Sequence, residues 1–270
     1  MTDDLDATVR LAQTGDAAAL ERVVEAIQDD VHRLCLRMTG SRDDAFDATQ
    51  ETLIRVITRL SSFRGEAAFR TWVHRVAVNH LVDRKRSAVE RHELTFDLFA
   101  ADLHAGLQPV APNAGPEIEI LARDVKHGCT LAVLTCLDRD LRVAYVLGEV
   151  FDVSARDGAW ICGTTETAFR KRLSRARTAI RHFVGEHCGL VAGPRAACHC
   201  RKRVAVAVEL GRVARAVEPP PDEVLAATEE IEALYDAAAL VRSVGDERAP
   251  EDVATRIRSV IRSGRYDLLR

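Results

Sequence analysis

Ser154-Ala155-Arg156-Asp157-Gly158-Ala159-Trp160-Ile161-Cys162-Gly163-Thr164-Thr165-Glu166-Thr167-Ala168-Phe169-Arg170-Lys171-Arg172 is the stretch that decides the fold. Ser154 and Asp157 have the spacing of a capping box, which opens a short helix through Ile161. Cys162-Gly163 makes the turn, and Thr164 or Thr165 caps a second helix from Glu166 to about Val184. Ala168 or Phe169, Leu173, Ala176 and Ile180 recur on its inward face, while Arg170, Lys171, Arg172, Arg175 and Arg177 point outward. Short helix, glycine turn and basic helix are the parts of a helix-turn-helix, which lays its second helix in the DNA major groove. In that geometry Thr165, Glu166, Thr167, Arg170 and Lys171 face base edges, and Arg172, Arg175 and Arg177 hold phosphates. The competing reading is an ordinary helical hairpin with a basic surface.

The rest of the chain extends the helical pattern in both directions, so the expected class is all-α. Gly15-Asp16 opens a helix carrying Leu20, Val23, Val24 and Ile27 on one face, continued by Val31, Leu34, Cys35 and Met38 until Gly40. Ser41 caps a helix to about Leu60, and another runs from about Ala67 to Arg86. Periodicity is lost from about Ser87, and Gln108 to Pro116 reads as a flexible, partly extended linker. The expected organisation is a helical domain over 1–88, a linker over 89–116, a second helical domain over 117–187 and a mostly helical, acidic, cysteine-containing extension over 188–270.

Composition bounds the function. With 270 residues, 47% hydrophobic and 29% charged, the chain can bury more than one core. No apolar run reaches the ~18 residues of a membrane helix, and the acidic N-terminus is no signal peptide. Seven cysteines, an odd number without an export signal, point to a reducing cytoplasm. The net charge of −3 argues against a nucleic-acid partner only if it is evenly spread. It is not. Ser61 to Arg91 holds seven bases against three acids, and Glu166 to His182 six bases against one. Met1 to Asp30 holds eight acids against two bases, and Glu218 to Glu247 nine against one. Basic blocks of this kind are the footprint of phosphate binding.

The first basic block contains Phe63-Arg64-Gly65-Glu66, then Arg70, Trp72, Arg75 and Asn79. An aromatic and an Arg at a loop lip can hold an unstacked base, and Asn can pair bidentately with a base edge. Arg75 and Asn79 share a helix face one turn apart. The preceding helix shows Asp44, Asp47, Gln50, Glu51 and Arg55 on the face opposite its apolar one.

Together these stretches resemble the bacterial extracytoplasmic-function (group four) sigma factors of the sigma-70 family. The likeness rests on Asp44 to Leu53, Phe63 to Glu66 and Arg70 to Asn79 for domain two, and on Leu137 to His182 for domain four. It implies an initiation factor, not an enzyme, that binds core RNA polymerase, directs it to promoters and opens the DNA. On this reading Asp44, Asp47, Gln50 and Glu51 contact the polymerase clamp helices. Phe63, Arg64, Arg70, Trp72, Arg75 and Asn79 read and melt the minus-ten element. Thr165, Glu166, Thr167, Arg170, Lys171, Arg172 and Arg175 bind the minus-thirty-five element. The implied partners are core polymerase, duplex promoter DNA and its melted strand, with an anti-sigma factor as a further one. No cofactor is required, because melting needs binding energy and not a covalent step.

Two features depart from the family pattern. Gly158 stands where a better helix former is usual. The chain also continues well past His187. In that extension Cys188, Cys198, His199 and Cys200 could hold zinc or a softer ion such as copper. Redox sensing by a thiol pair is a further functional reading, behind metal binding, and the competing one is buried structural thiols, as Cys35, Cys129, Cys136 and Cys162 are expected to be. Val253, Ile257, Val260 and Ile261 form an amphipathic stretch, read as packing on the sigma domains and regulating them. The competing functions are a helix-turn-helix regulator that never touches polymerase, and a metal- or redox-sensing protein centred on the cysteines.

Overall fold

The computed structural model describes residues 2–84, 94–110, 115–193, 196–213, 221–232, 236–243 and 248–262. Lys85, Arg86 and Arg91 of the first basic block therefore lie outside the described residues. Among the described residues every regular element is helical, apart from one isolated bridge between Cys188 and Cys198. None of these helices is long and apolar enough to cross a membrane. The all-α expectation is met.

Two compact units form. The first gathers Met1–Ala88, Val146–Lys171 and Asp246–Arg270; the second gathers Val89–Tyr145 and Arg172–Gly245. These units cut across the organisation expected from the sequence. The start of the helix-turn-helix groups with the N-terminal helices, and the extension is shared out between the two.

In the first unit, α1 (Thr2–Gln13), α2 (Ala17–Thr39), α3 (Arg42–Thr58) and α4 (Phe69–Asp83) build one core. The ends of α2 follow from its sequence. Asp16 accepts the Ala19 N–H at 2.8 Å as N-cap, and Gly40 takes the left-handed conformation (φ 69°) and donates to the Leu36 carbonyl. Leu20, Val23, Val24, Ile27, Val31, Leu34 and Cys35 are all at most 2% exposed. The C-terminal helix of the chain lies on this scaffold. Its label in chain order is α14 (Glu251–Arg262), and it packs on α2 and α3. Val253, Ile257 and Ile261 are buried; Arg262 makes two hydrogen bonds to Glu21 at 2.9 and 3.1 Å, and Arg256 lies over the Phe46 ring. The expected packing of this stretch on the N-terminal helices is thus found, with Val260 only partly buried.

The second unit is centred on α6 (Glu117–Thr135). Before it comes α5 (Phe96–Ala105), inside the stretch expected to be a linker. Thr95 caps α5, and Phe99 and Leu103 are buried. Phe96 and Phe99 meet Phe183 at ring-centroid distances of 5.2 and 5.4 Å. The linker expectation is corrected here: ten residues make fewer than three turns, and Ala and Asp dilute the apolar spacing of Phe96, Phe99 and Leu103. Asp102 ties α5 to α11 (Cys200–Glu209) and the residues after it. Its carboxylate accepts from Arg212 at 2.7 and 2.9 Å and from buried Arg203 at 2.9 Å, which holds Asp102 below the usual carboxylate range. At the end of α6, buried Arg142 donates to the Thr135 and Leu137 carbonyls, satisfying groups the helix leaves open. The acidic helix α12 (Pro221–Glu232) packs on α6, with Glu223 on Arg123 at 3.3 Å.

Gly158 lies in α8 (Ala155–Ile161), and a Cβ there would meet three Phe169 ring atoms at 2.3–2.6 Å. Phe169 is fully buried. The glycine is therefore the seat of the ring that joins the two helices of the hairpin, and not a weak point in the first. Gly158→Ala should overpack this contact and destabilise the chain by about 1–3 kcal/mol, seen as a lower midpoint in thermal or denaturant unfolding; an unchanged midpoint would contradict this packing role.

Candidate nucleic-acid interface

The helix-turn-helix forms as its sequence dictates. Ser154 Oγ accepts the Asp157 N–H and donates to the Asp157 carboxylate at 2.7 Å, capping the helix through the two residues that the spacing named. Gly163 makes the turn at φ 59°. Thr165 Oγ1 accepts the Ala168 N–H and caps α9 (Glu166–His187). Phe169, Leu173, Ala176 and Ile180 are buried, whereas Thr165, Thr167, Arg170, Lys171 and Arg175 are exposed. Thr167 and Lys171 thus stand exposed near the start of the helix, where N–H groups and dipole favour approach to phosphate. Two others are engaged. Arg170 donates to Glu166 at 2.6 Å, and Arg172, half-buried, pairs with Asp140 at 2.7 Å. Arg172 is thus held to its own unit instead of projecting freely.

The second candidate surface is the loop before α4. Gln13 of α1 donates to the carbonyls of Leu60 and Phe63, both at 2.9 Å, and so fixes where the loop begins. Gly65 turns it at φ 76°. Phe63, Phe69 and Trp72 form an aromatic cluster with centroids 5.2–5.8 Å apart. Phe63 and Trp72 are therefore half-buried, supporting the loop as well as edging it. Arg64 is exposed. An open concavity of about 480 Å³ lies between α1 and the loop, lined by Asp6, Arg10, Gln13, Phe63, Arg64 and Phe69 among others. A polar cup with aromatic and cationic walls can accept a base turned out of its stack. Sequence reasoning missed Arg10 and Gln13, since α1 read as an acidic terminus. The available signal was Gln13 itself, an amide just ahead of the Thr14-Gly15 turn.

On α4, Asn79 is exposed, Arg70 pairs with Asp30, and Arg75 lies over the Trp160 ring of α8, 4.3 Å from its centroid. The predicted minus-ten residues all lie in the first unit, with Phe63 and Trp72 packed together and Arg70 and Arg75 already partnered. His74 is buried beside Arg75, its ring 4.8 Å from that of Phe151, and burial holds it down to about 4.

The acidic face of α3 is shared with α4. Asp44 and Glu51 touch Arg84 and His80: the Asp44 carbonyl accepts from Arg84 at 2.8 Å, and Glu51 lies 3.0 Å from His80. Asp47 is exposed and Gln50 half-buried, so Gln50 is less available than its spacing suggested.

Of the four residues read as possible metal ligands, three share a cavity. Cys188, Cys198 and Cys200 border one cavity, but His199 does not; its ring rests where a Gly189 Cβ would stand. The fourth thiol is Cys129 of α6. Among the described residues, no group of three or more His, Cys, Asp or Glu is arranged to hold a metal ion. Alternating direction along the chain accounts for the exclusion of His199 from between its two neighbours. Burial pushes Cys129 up to about 12 and Cys198 up to about 11, so both are neutral thiols.

Two outcomes follow from this geometry. Trp160→Ala should release Arg75 and tighten binding of a fluorescent single-stranded minus-ten oligonucleotide roughly 2- to 5-fold, the equivalent of an exposed cation–π contact of about 0.5–1 kcal/mol; unchanged or weaker binding would show that Trp160 does not compete with DNA. His74 is neutral in the folded chain, while an unfolded histidine titrates near 6.5. The unfolded chain therefore takes up the proton first, and stability that is complete above pH 6.5 is lost as pH falls towards 4, by up to ~3 kcal/mol. Denaturant titrations across that window should show a smaller loss for His74→Gln than for the parent chain.

Residues 23–91 match the family model for Sigma-70 region 2. The chain is 29% identical over 192 residues to the ECF RNA polymerase sigma factor SigE of Mycolicibacterium smegmatis, covering 69% of this chain and 70% of that one. It is 32% identical over 182 residues to the ECF RNA polymerase sigma-E factor of Haemophilus influenzae, covering 66% of this chain and 94% of that one. Among solved structures, the sigma factor RpoE of Bartonella quintana in complex with the anti-sigma factor NepR aligns at 18% identity and a TM-score of 0.42, over 60% of this chain and 94% of that one. With a sigma region 2 over α2 to α4, a capped helix-turn-helix after it, and nearly the full length of a sigma-E factor matched at 32% identity, the chain belongs to the extracytoplasmic-function RNA polymerase sigma factors.

Proposed function

We propose that this sigma factor binds core RNA polymerase through α3, reads and opens the minus-ten element with the Phe63–Ala68 loop and α4, and reads the minus-thirty-five element with the start of α9. The observation that carries the last assignment is the exposure of Thr165, Thr167, Arg170 and Lys171 on the first turns of a capped helix after a glycine turn. That is the part of a recognition helix which reaches base edges. Arg175 and Arg177, further along, meet the backbone. On α3, Asp47 offers an exposed carboxylate to a basic partner surface, with Asp44, Gln50 and Glu51 on the same helix. The loop concavity takes a base of the melted strand, and Arg75 and Asn79 offer further contacts to that strand from the following turns of α4. Promoter DNA as the target places the protein in the cytoplasm, and family membership adds anti-sigma proteins as a further class of partner.

Run-off transcription with core polymerase tests the assignment. A promoter-specific transcript should depend on the protein, and changing Arg170 and Lys171 together to Ala should reduce it by roughly 10- to 100-fold or more, since a base contact discriminates by ~1–3 kcal/mol. Absence of any promoter-specific transcript from a folded protein, with pull-down showing no core polymerase, would favour a regulator that acts without it.

A further inference from the structure

Cys129, Cys188, Cys198 and Cys200 line a single cavity of about 30 Å³ in the second unit, beside the buried side chains of Lys126 and Arg203. Two of the four are also joined through their backbones. Cys188 and Cys198 form a parallel bridge, and the Gly189 N–H donates to the Cys198 carbonyl at 2.8 Å. Backbones paired in this way lie about 4.8 Å apart, within the roughly 4.4–6.8 Å that a disulfide spans between Cα atoms. Both side chains face the same cavity. Cys200 sits two residues further on, inside α11, and has no such pairing with Cys188.

We propose that Cys188 and Cys198 are a reversible dithiol site that closes to a disulfide when a peroxide is the oxidant. Cys188 reacts first, because it is only half-buried whereas Cys198 is 7% exposed. Its sulfur attacks a peroxide oxygen, the O–O bond breaks, and a sulfenic acid and one water result. The Cys198 sulfur then attacks the Cys188 sulfur, the S–S bond forms, the S–O bond breaks, and the hydroxyl leaves with the Cys198 proton as a second water. Two thiols lose two electrons and two protons in all, and one hydrogen peroxide becomes two waters. The bond would tie the residue after α9 to the residue two places before α11, so that oxidation acts at the far end of the proposed recognition helix. The dithiol chemistry does not depend on the DNA-binding assignment.

The test uses the full chain, reduced, then exposed to hydrogen peroxide at pH 8 for hours, because the thiols are buried, then alkylated and digested with trypsin. Arg195 lies between the two cysteines in the sequence, so the disulfide appears as a linked pair of peptides. All seven cysteines are free in the structure; the thiol count under denaturing conditions should fall by two and return with dithiothreitol. The linked pair should be lost in Cys188→Ser and in Cys198→Ser, and kept in Cys200→Ser and Cys129→Ser, with circular dichroism showing each variant folded. No linked pair, a link that survives Cys198→Ser, or a thiol-bound metal that co-purifies and blocks oxidation would each overturn the proposal.

Discussion

The burial of α2 is the constraint from which the first unit follows. Its 23 residues carry an apolar face from Ala19 to Met38 that one neighbouring helix cannot cover. Each apolar side chain left in water would forfeit about 1.5–3 kcal/mol, so α1, α3, α4 and α14 all pack against it. The scaffold then positions the candidate interfaces. Gln13 sets the loop only because α1 lies on α2, and the exposed side of α3 is the side that α2 leaves free. Arg37, fully buried within α2, reaches the Arg33 carbonyl at 3.1 Å, so a charge is carried inside the scaffold and attached to its backbone.

The cations proposed to meet DNA share a second property: several are already partnered. Arg70 holds Asp30, Arg75 covers Trp160, Arg170 holds Glu166 and Arg172 holds Asp140. Exposed pairs like Arg170–Glu166 are weak, ~0–1 kcal/mol each. Phosphates can therefore displace these partners at small expense, while off DNA the carboxylates lower the local positive potential. Such an exchange makes net binding the difference between two sets of contacts. It favours sites where phosphate and base contacts are made together over isolated phosphate contacts, and this is a contribution to specificity that needs no extra base contact. It also makes the overall charge of −3 compatible with a DNA-binding chain.

Local signals were legible in the sequence wherever a short-range rule dictates the structure. Asp16, Ser41, Ser154 and Thr165 are caps, Gly40 and Gly163 are left-handed stops, and the inward face of α9 follows its spacing. The exposed polar residues of α9 were placed correctly because a helix start and an apolar period together leave only one face free. Partnerships between distant segments were not legible. Nothing near Arg75 in sequence announces Trp160, and Gly158 reads as a defect until the Phe169 ring is seen to need its space. Helix α5 was hidden for the same reason: Phe99 and Leu103 have meaning only against Phe183, which lies far along the chain.

The cysteines carry the same lesson further, since local density does not say which of them share a cavity. Cys198-His199-Cys200 looks like a ligand cluster because its donors are adjacent, yet adjacency sends neighbouring side chains in different directions. The structure separates His199 from the thiols and brings in Cys129, whose apolar helical setting made it look like core packing. Core packing and thiol chemistry are not exclusive. Burial on α6 is what brings Cys129 to the cavity, and the bridge at Cys188 and Cys198 is what closes it from the other side. A cysteine on an apolar face is thus ambiguous until its non-local neighbours are known, because the same desolvation that makes one thiol inert places several within reach of each other.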